Sequence, residues 1–140
     1  MGNVITLESH MSHFIQWDNE EKTVVFQQYT DDAVKDDLYY LAQKSSDLLK
    51  TVDHTVHLII DERNIKLTLS SADVNYLERN VPPNQGIVVM LVNKNDFAYK
   101  KFIQMVNKQL APKAFDQPYF ASSIEEARQL LQDNFEVHYS

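Results

Sequence analysis

Two short, nearly continuous apolar runs constrain the fold of this chain more than any other feature. The first, at 54–61, reads HTVHLIID and ends in an acid, and the second, at 87–92, reads IVVMLV. Runs of this length and composition are typical of strands that other elements cover on both faces. Such strands usually belong to parallel sheets with helices on both sides, so the two runs predict an α/β domain.

The segments around these runs predict the remaining elements. A β-hairpin is predicted from β-branched and aromatic residues at 14–17 and 22–29, which flank the polar turn 18–21. Helices are predicted after a cap at Thr30 or Asp31, over 72–80, from Asn95 or Asp96 to Leu110, and over 124–134, with a short strand at 119–121. The predicted order is ββαβαβαβα: a mixed, mostly parallel five-stranded sheet with an N-terminal hairpin and four helices. It forms a single domain at 13–140 after an arm at 1–12.

The same spacing predicts which helical side chains face the core and which face solvent. Those predicted to point inward are Val34, Leu38, Leu41, Ala42, Leu48, Leu49, Val52, Val74, Leu77, Val81, Ala98, Phe102, Met105, Val106, Leu110, Ala127, Leu130 and Leu131. The paired acids Asp31/Asp32 and Asp36/Asp37 are predicted to be solvated charges on an outer helix face. Ser122 and Glu125 are predicted to form a capping box for the last helix.

Composition excludes several classes of function. The chain has no cysteine, so it lacks disulfides, thiol nucleophiles and thiolate metal sites, and its two glycines do not form a phosphate-binding loop. A net charge of −7 argues against binding to nucleic acid. The apolar runs are much shorter than the roughly 20 residues of a membrane span, and no signal peptide is evident, so we expect a cytoplasmic protein.

The histidines and carboxylates do not suggest a metal or catalytic site. His54 and His57 are three residues apart in a predicted strand and therefore point to opposite faces. The paired acids are predicted to lie in solvent, whereas general acid–base catalysis needs a desolvated pocket. We therefore expect no metal, no cofactor and no enzymatic activity.

The most promising functional stretch runs from Asp61 to Ser71. Ligands of open α/β sheets bind beyond the carboxyl ends of the strands, and Asp61 ends one such strand. Ser70 and Ser71 are predicted at a helix N-terminus, where a phosphate is favoured, so they are candidate phosphorylation sites; simple capping is the alternative. The candidate ligand- or partner-binding residues are Asp61, Glu62, Arg63, Asn64, Ser70 and Ser71.

The order of elements resembles that of the STAS domain, and more narrowly that of its SpoIIAA-like group, whose fold is also likened to lipid-carrying CRAL-TRIO domains. The resemblance spans about residues 13–134 and rests on FIQW…TVVFQQY, the long helix, HLIID, GIVVMLV and SSIEEARQLL. In the antagonists of this family, an Asp-Ser-x-Gly motif presents a serine for phosphorylation. Asp61 matches the first position of that motif, but Glu62 occupies the position of the serine.

Two functional hypotheses follow. The leading one is a non-enzymatic regulatory or interaction module that docks a protein partner near the 61–71 loop or self-associates, for example as a homodimer. The alternative is a carrier of a small apolar ligand or lipid, with a pocket between the sheet and the helices at 71–81 and 96–110. In that alternative Met90, Phe102 and Met105 are expected to line the pocket.

Overall fold

The computed structural model describes residues 12–140 and confirms the predicted α/β fold and element order. The predicted arm therefore lies outside the described residues, apart from Ser12. None of the helices in residues 12–140 is both long and apolar enough to span a membrane. The elements are β1 (His13–Trp17), β2 (Val24–Tyr29), α1 (Lys35–Leu49), β3 (Val56–Asp61), α2 (Ser71–Arg79), β4 (Gln85–Leu91), α3 (Phe97–Lys108, preceded by a 3-10 turn at Lys94–Asp96), β5 (Tyr119–Ala121) and α4 (Ile124–Phe135).

The five strands lie in the sheet in the same order as in the chain, β1-β2-β3-β4-β5. β1 pairs antiparallel with β2, and β2 to β5 are parallel. The carboxyl ends of β2 to β5 therefore meet at one edge of the sheet. When successive parallel strands are neighbours, right-handed crossovers place their connecting helices on the same face.

The two faces of the sheet carry separate apolar clusters. On one face, Leu41 and Leu49 of α1 pack with a cluster that includes Val25, Leu58 and Val88. On the other face, the cluster contains Ala127 and Leu131 of α4 together with Ile59, Val89 and Leu91. We call the first the α1 face and the second the α4 face. Because β3 and β4 alternate between the two clusters, both strands are covered on both sides, as their apolar runs predicted.

The start of α1 differs from the prediction. The helix begins at Lys35 with Val34 as N-cap, and not after a cap at Thr30 or Asp31. Asp37 causes the difference, because its Oδ2 accepts a hydrogen bond of 2.7 Å from the Val34 N–H. Asp37 is buried, so its prediction as a solvated charge was wrong, and Val34, predicted to be inward, is 59% exposed.

The cap of α4 is shifted by one residue from the predicted pair. Ser123, and not Ser122, accepts a hydrogen bond from the backbone N–H of Glu126. The Glu126 carboxylate in turn accepts from the Ser122 N–H at 2.6 Å. The predicted capping box of Ser122 with Glu125 was therefore wrong: Ser123 is the cap, and the carboxylate of Glu126 bonds the residue before the cap.

The orientation of α3 is the largest departure from the prediction. Phe102, Met105, Val106 and Leu110 were predicted to point into the core, yet all four are exposed, Met105 to 61%. Ala98 is exposed as well. The residues of α3 that face the rest of the protein include Lys100, Gln104 and Asn107. Helical spacing identified the apolar stripe correctly but could not show which way it faces.

Gly86 allows β4 to approach β3 closely where the register between the two strands shifts, at Val56/Leu58. A Cβ atom on Gly86 would lie 2.5 Å from Nδ1 of His57 and 2.7 Å from Cγ2 of Thr55. The His57 Nδ1 accepts a 2.9 Å hydrogen bond from the Ile87 N–H, so the ring is held in place. Burial lowers the pKa of His57, which favours the neutral ring that this bond requires.

We predict that Gly86→Ala lowers the free energy of unfolding by about 1–3 kcal/mol, because a methyl group would displace the His57 ring. Urea denaturation of the purified variant measures the change. In a His57→Ala background the same substitution should cost less. An equal cost in both backgrounds would show that the ring contact is not the cause.

Candidate functional site

A cavity of about 250 Å³ lies on the α1 face, between the sheet and the helices, and is partly open to solvent. It occupies the position that the carrier hypothesis predicted. The apolar part of its floor comes from β3 and β4 and consists of Leu58, Ile60, Val88 and Met90. Leu38 and Ala42 of α1, Leu67 and Leu69 of the loop, Leu77 of α2 and Ile103 of α3 add further apolar walls. Met90 lines the cavity as expected, but Phe102 and Met105 face solvent and do not.

Polar side chains also line the cavity, most of them on its walls and rim. Gln27 and Tyr29 lie on the floor, both from β2, and Glu62 and Lys100 lie at the wall. The Lys100 Nζ and the Glu62 Oε1 form an ion pair of 2.6 Å, with both side chains mostly buried. This pair links the loop after β3 to α3. Together with the bond between Gln104 and Gln117, it gives the polar side of α3 partners on the inner side of the helix.

Tyr29 is a neutral hydrogen-bonding group in the cavity. Burial raises the pKa of Tyr29 far above its ordinary value, and the negative charges of Glu62 and Asp37 raise it further. The phenol therefore remains protonated at any physiological pH. It cannot act as an anion, but its hydroxyl can donate or accept a hydrogen bond.

Asp61 lies on the opposite side of the sheet from the cavity. Its neighbour Ile60 lines the cavity, and alternation along β3 turns Asp61 toward the α4 face. The carboxylate is fully buried and accepts hydrogen bonds from Gln28 and from the backbone and side chain of Arg63. Burial alone would raise the pKa of Asp61, but the Arg63 and Gln28 hydrogen bonds outweigh it and hold the pKa below 3.8. Asp61 has the environment of a structural acid.

The other candidates of the 61–71 loop are placed apart from one another. Arg63 extends from Asp61 toward the carbonyl of Ser122, at 3.4 Å, whereas Glu62 lines the cavity. Asn64 is exposed. The structure therefore distributes the candidates over both faces of the sheet and does not form one site from them.

Ser70 and Ser71 begin α2, outside the cavity. Ser70 is the N-cap: its Oγ accepts from the Asp73 N–H, and the Asp73 carboxylate accepts from the Ser70 N–H at 2.8 Å. Ser71 is the first helical residue, and both serines are exposed. Asp73 also binds Lys35 and the Tyr39 hydroxyl, and these hydrogen bonds hold the pKa of Asp73 well below its ordinary range.

Sequence reasoning missed Gln27, Tyr29 and Lys100 as possible site residues. Gln27 had a usable signal, since it is a polar residue at an inward position of a strand that reads VVFQQY. Lys100 had none, because its position on the buried side of α3 depends on its pairing with Glu62. Within residues 12–140 there is no group of three or more His, Asp or Glu residues arranged to hold a metal ion.

No family model, curated protein or solved structure that we compared with the chain matches it.

We predict that Asp61→Asn lowers the free energy of unfolding by about 1–3 kcal/mol at pH 7, because it removes the charge that pairs with Arg63. The folded-state pKa of Asp61 is lowered, so this stabilisation is present above pH 3.8 and is lost as pH falls through the folded pKa.

Urea denaturation of wild type and Asp61→Asn at several pH values measures the difference, which should shrink below about pH 4. The exposed Asp47→Asn is the control and should change stability by less than about 0.5 kcal/mol at pH 7. A difference between wild type and Asp61→Asn that is constant with pH would contradict the charge-based explanation.

Proposed function

We propose that this protein binds a small, mainly apolar ligand in the cavity on the α1 face. The observation that carries the proposal is the cavity itself, to which β3, β4, α1, the loop after β3, α2 and α3 all contribute apolar side chains. Ligand sites are typically concave, largely apolar and provided with a few oriented polar groups. An apolar cavity of about 150 Å³ holds benzene, so about 250 Å³ suits a ligand of roughly naphthalene size.

The ionisable groups of the cavity fit a protein that binds its ligand without catalysing a reaction. Glu62 is paired with Lys100, and the Tyr29 phenol stays protonated. Lys66, which also lines the cavity, pairs with Asp96 at 3.2 Å. General acid–base catalysis needs a group whose pKa lies near the working pH and that reaches a substrate proton. These groups fit a carrier or sensor better than an enzyme.

The resemblance to SpoIIAA-like STAS domains supports a regulatory setting for this binding. The opening hairpin, the element order and the acid at the end of β3 are the features that support it. Phosphorylation at the family's usual position has no support, since Glu62 occupies it and pairs with Lys100. These contacts fit a regulatory module of this fold whose activity depends on a bound ligand.

A second candidate function is docking of a protein partner on the outer face of α3. Phe102, Met105, Val106 and Leu110 expose an apolar stripe at helical spacing, which is typical of interaction sites. Lys101 is exposed beside the stripe, as is Lys108, which pairs with Asp116 at 3.3 Å, although the whole chain carries −7. Two α3 helices facing each other would bring like charges together. The positive charge therefore favours a partner other than a second copy of this chain, namely a protein with an apolar patch and an acidic rim.

For the cavity, we predict that purified protein binds naphthalene derivatives such as 2-naphthol, measured by the fluorescence of the probe. Ala42→Met, which fills the cavity from α1, should weaken binding at least tenfold. Ala98→Met on the exposed side of α3 is the matched control and should leave binding unchanged. Thermal unfolding verifies that both variants fold.

Native mass spectrometry should also reveal a copurified apolar ligand in the cavity. An empty protein that takes up no probe would contradict the proposal.

For the α3 face, a photo-crosslinker at Met105 should capture one protein, which is then purified and titrated against wild type. Phe102→Asp should weaken that binding at least tenfold, as for a buried aromatic anchor, and added salt should weaken it further. Val34→Asp, at an exposed apolar residue on α1, should have no effect. Dimerisation through α3 in light scattering, or binding to anionic vesicles instead of the purified protein, would contradict this candidate.

A further inference from the structure

Gln27 is an unusual residue in the floor of the cavity. It lies on β2 between Val25 and Tyr29, both buried on the α1 face, and pairs in register with Ile60 of β3. Its side chain lines the cavity, although the residue is only 5% exposed. The surrounding floor is apolar. A polar amide at this point therefore requires a physical explanation.

The amide oxygen of Gln27 has no hydrogen-bond partner within residues 12–140. A buried acceptor without a donor destabilises the fold, because it has lost its hydrogen bonds to water and forms none within the protein to replace them. Other polar groups at the cavity are paired: Glu62 with Lys100, and Gln104 with Gln117 at 3.1 Å. Among the fully buried side-chain nitrogen and oxygen atoms of residues 12–140, Oε1 of Gln27 is the one without a hydrogen-bond partner.

We propose that the bound ligand carries a hydrogen-bond donor that pairs with Oε1 of Gln27. This inference rests on the proposed function and specifies its ligand class: an apolar body with one neutral donor, such as a hydroxyl or an N–H group. Gln27 is the specificity-determining residue. A ligand that lacks the donor leaves the buried oxygen unpaired, and sites built to pair a substrate's polar group discriminate strongly against analogues without it.

The charge pattern of the cavity argues for a neutral donor. A carboxylate ligand has no hydrogen to offer, and its charge would meet the partial negative charge of Oε1 and the charge of Glu62. An ammonium ligand would lose its hydration in an apolar space where Glu62 is already paired with Lys100. A hydroxyl or an amide N–H satisfies Oε1 at a much smaller desolvation cost.

The test compares three probes of nearly equal size: 2-naphthol, which has a donor; 2-methoxynaphthalene, which has an acceptor only; and 2-methylnaphthalene, which has neither. We expect wild type to bind 2-naphthol roughly tenfold or more tightly than the other two, measured by calorimetry or probe fluorescence. Gln27→Leu should abolish this preference while retaining 2-methylnaphthalene. Gln109→Leu, at an exposed glutamine that does not line the cavity, is the control and should keep the preference.

A second readout needs no ligand. Because Leu removes an unpaired buried acceptor, ligand-free Gln27→Leu should unfold at a urea concentration equal to or above that of wild type. Loss of stability would show that Oε1 has a partner in the free protein, such as an ordered water, and would overturn the inference.

The outcomes separate the two proposals. Equal binding of all three probes to wild type would overturn the role of Gln27 and leave the cavity as an apolar site. Binding of none of them would overturn the proposed function, and the inference about Gln27 with it.

Discussion

The burial of β3 and β4 on both faces is the constraint on which the rest of this structure depends. Leu58 and Val88 need apolar cover on one side, and Ile59 and Val89 need it on the other. Because the strands follow one another in the sheet, α1, α2 and α3 lie on the same face, and α4 covers the opposite one. The three helices do not close completely over their side of the sheet, and the space between them is the cavity.

The two sides of the sheet differ in how fully their polar groups are satisfied. On the α4 face, Asp61 is buried but accepts hydrogen bonds from Arg63 and Gln28, so its charge is compensated locally. On the α1 face, Gln27 is also buried, and its amide oxygen has no partner within residues 12–140. A saturated buried acid stabilises its surroundings, whereas an unsaturated amide beside a cavity leaves interaction energy available to a ligand. The buried group without a partner therefore lies on β2, and not at the end of β3, where the functional stretch was predicted.

The orientation of α3 connects the cavity with the protein surface. Lys100 pairs with Glu62 and Gln104 with Gln117, and these contacts hold the polar side of the helix over the cavity. Its apolar side, which includes Phe102 and Met105, is left in solvent. Occupation of the cavity and docking on the outer face would therefore act on the same helix, which gives a ligand a direct physical route to influence a partner.

The sequence by itself determined the α/β class, the order of the elements and the two central strands, because these depend on local periodicity and on apolar runs. It also indicated Ser70 or Ser71 as a helix cap, of which the structure selects Ser70, and indicated Met90 as a cavity residue. Only the tertiary structure decided which way amphipathic α3 faces, that Asp37 is buried at the start of α1, and that Asp61 and the cavity lie on opposite sides of the sheet. Each of these depends on a long-range contact, which for Asp37 is its hydrogen bonding with Ser12 and His13. Periodicity specifies a stripe on a helix or strand but not the partner that the stripe meets.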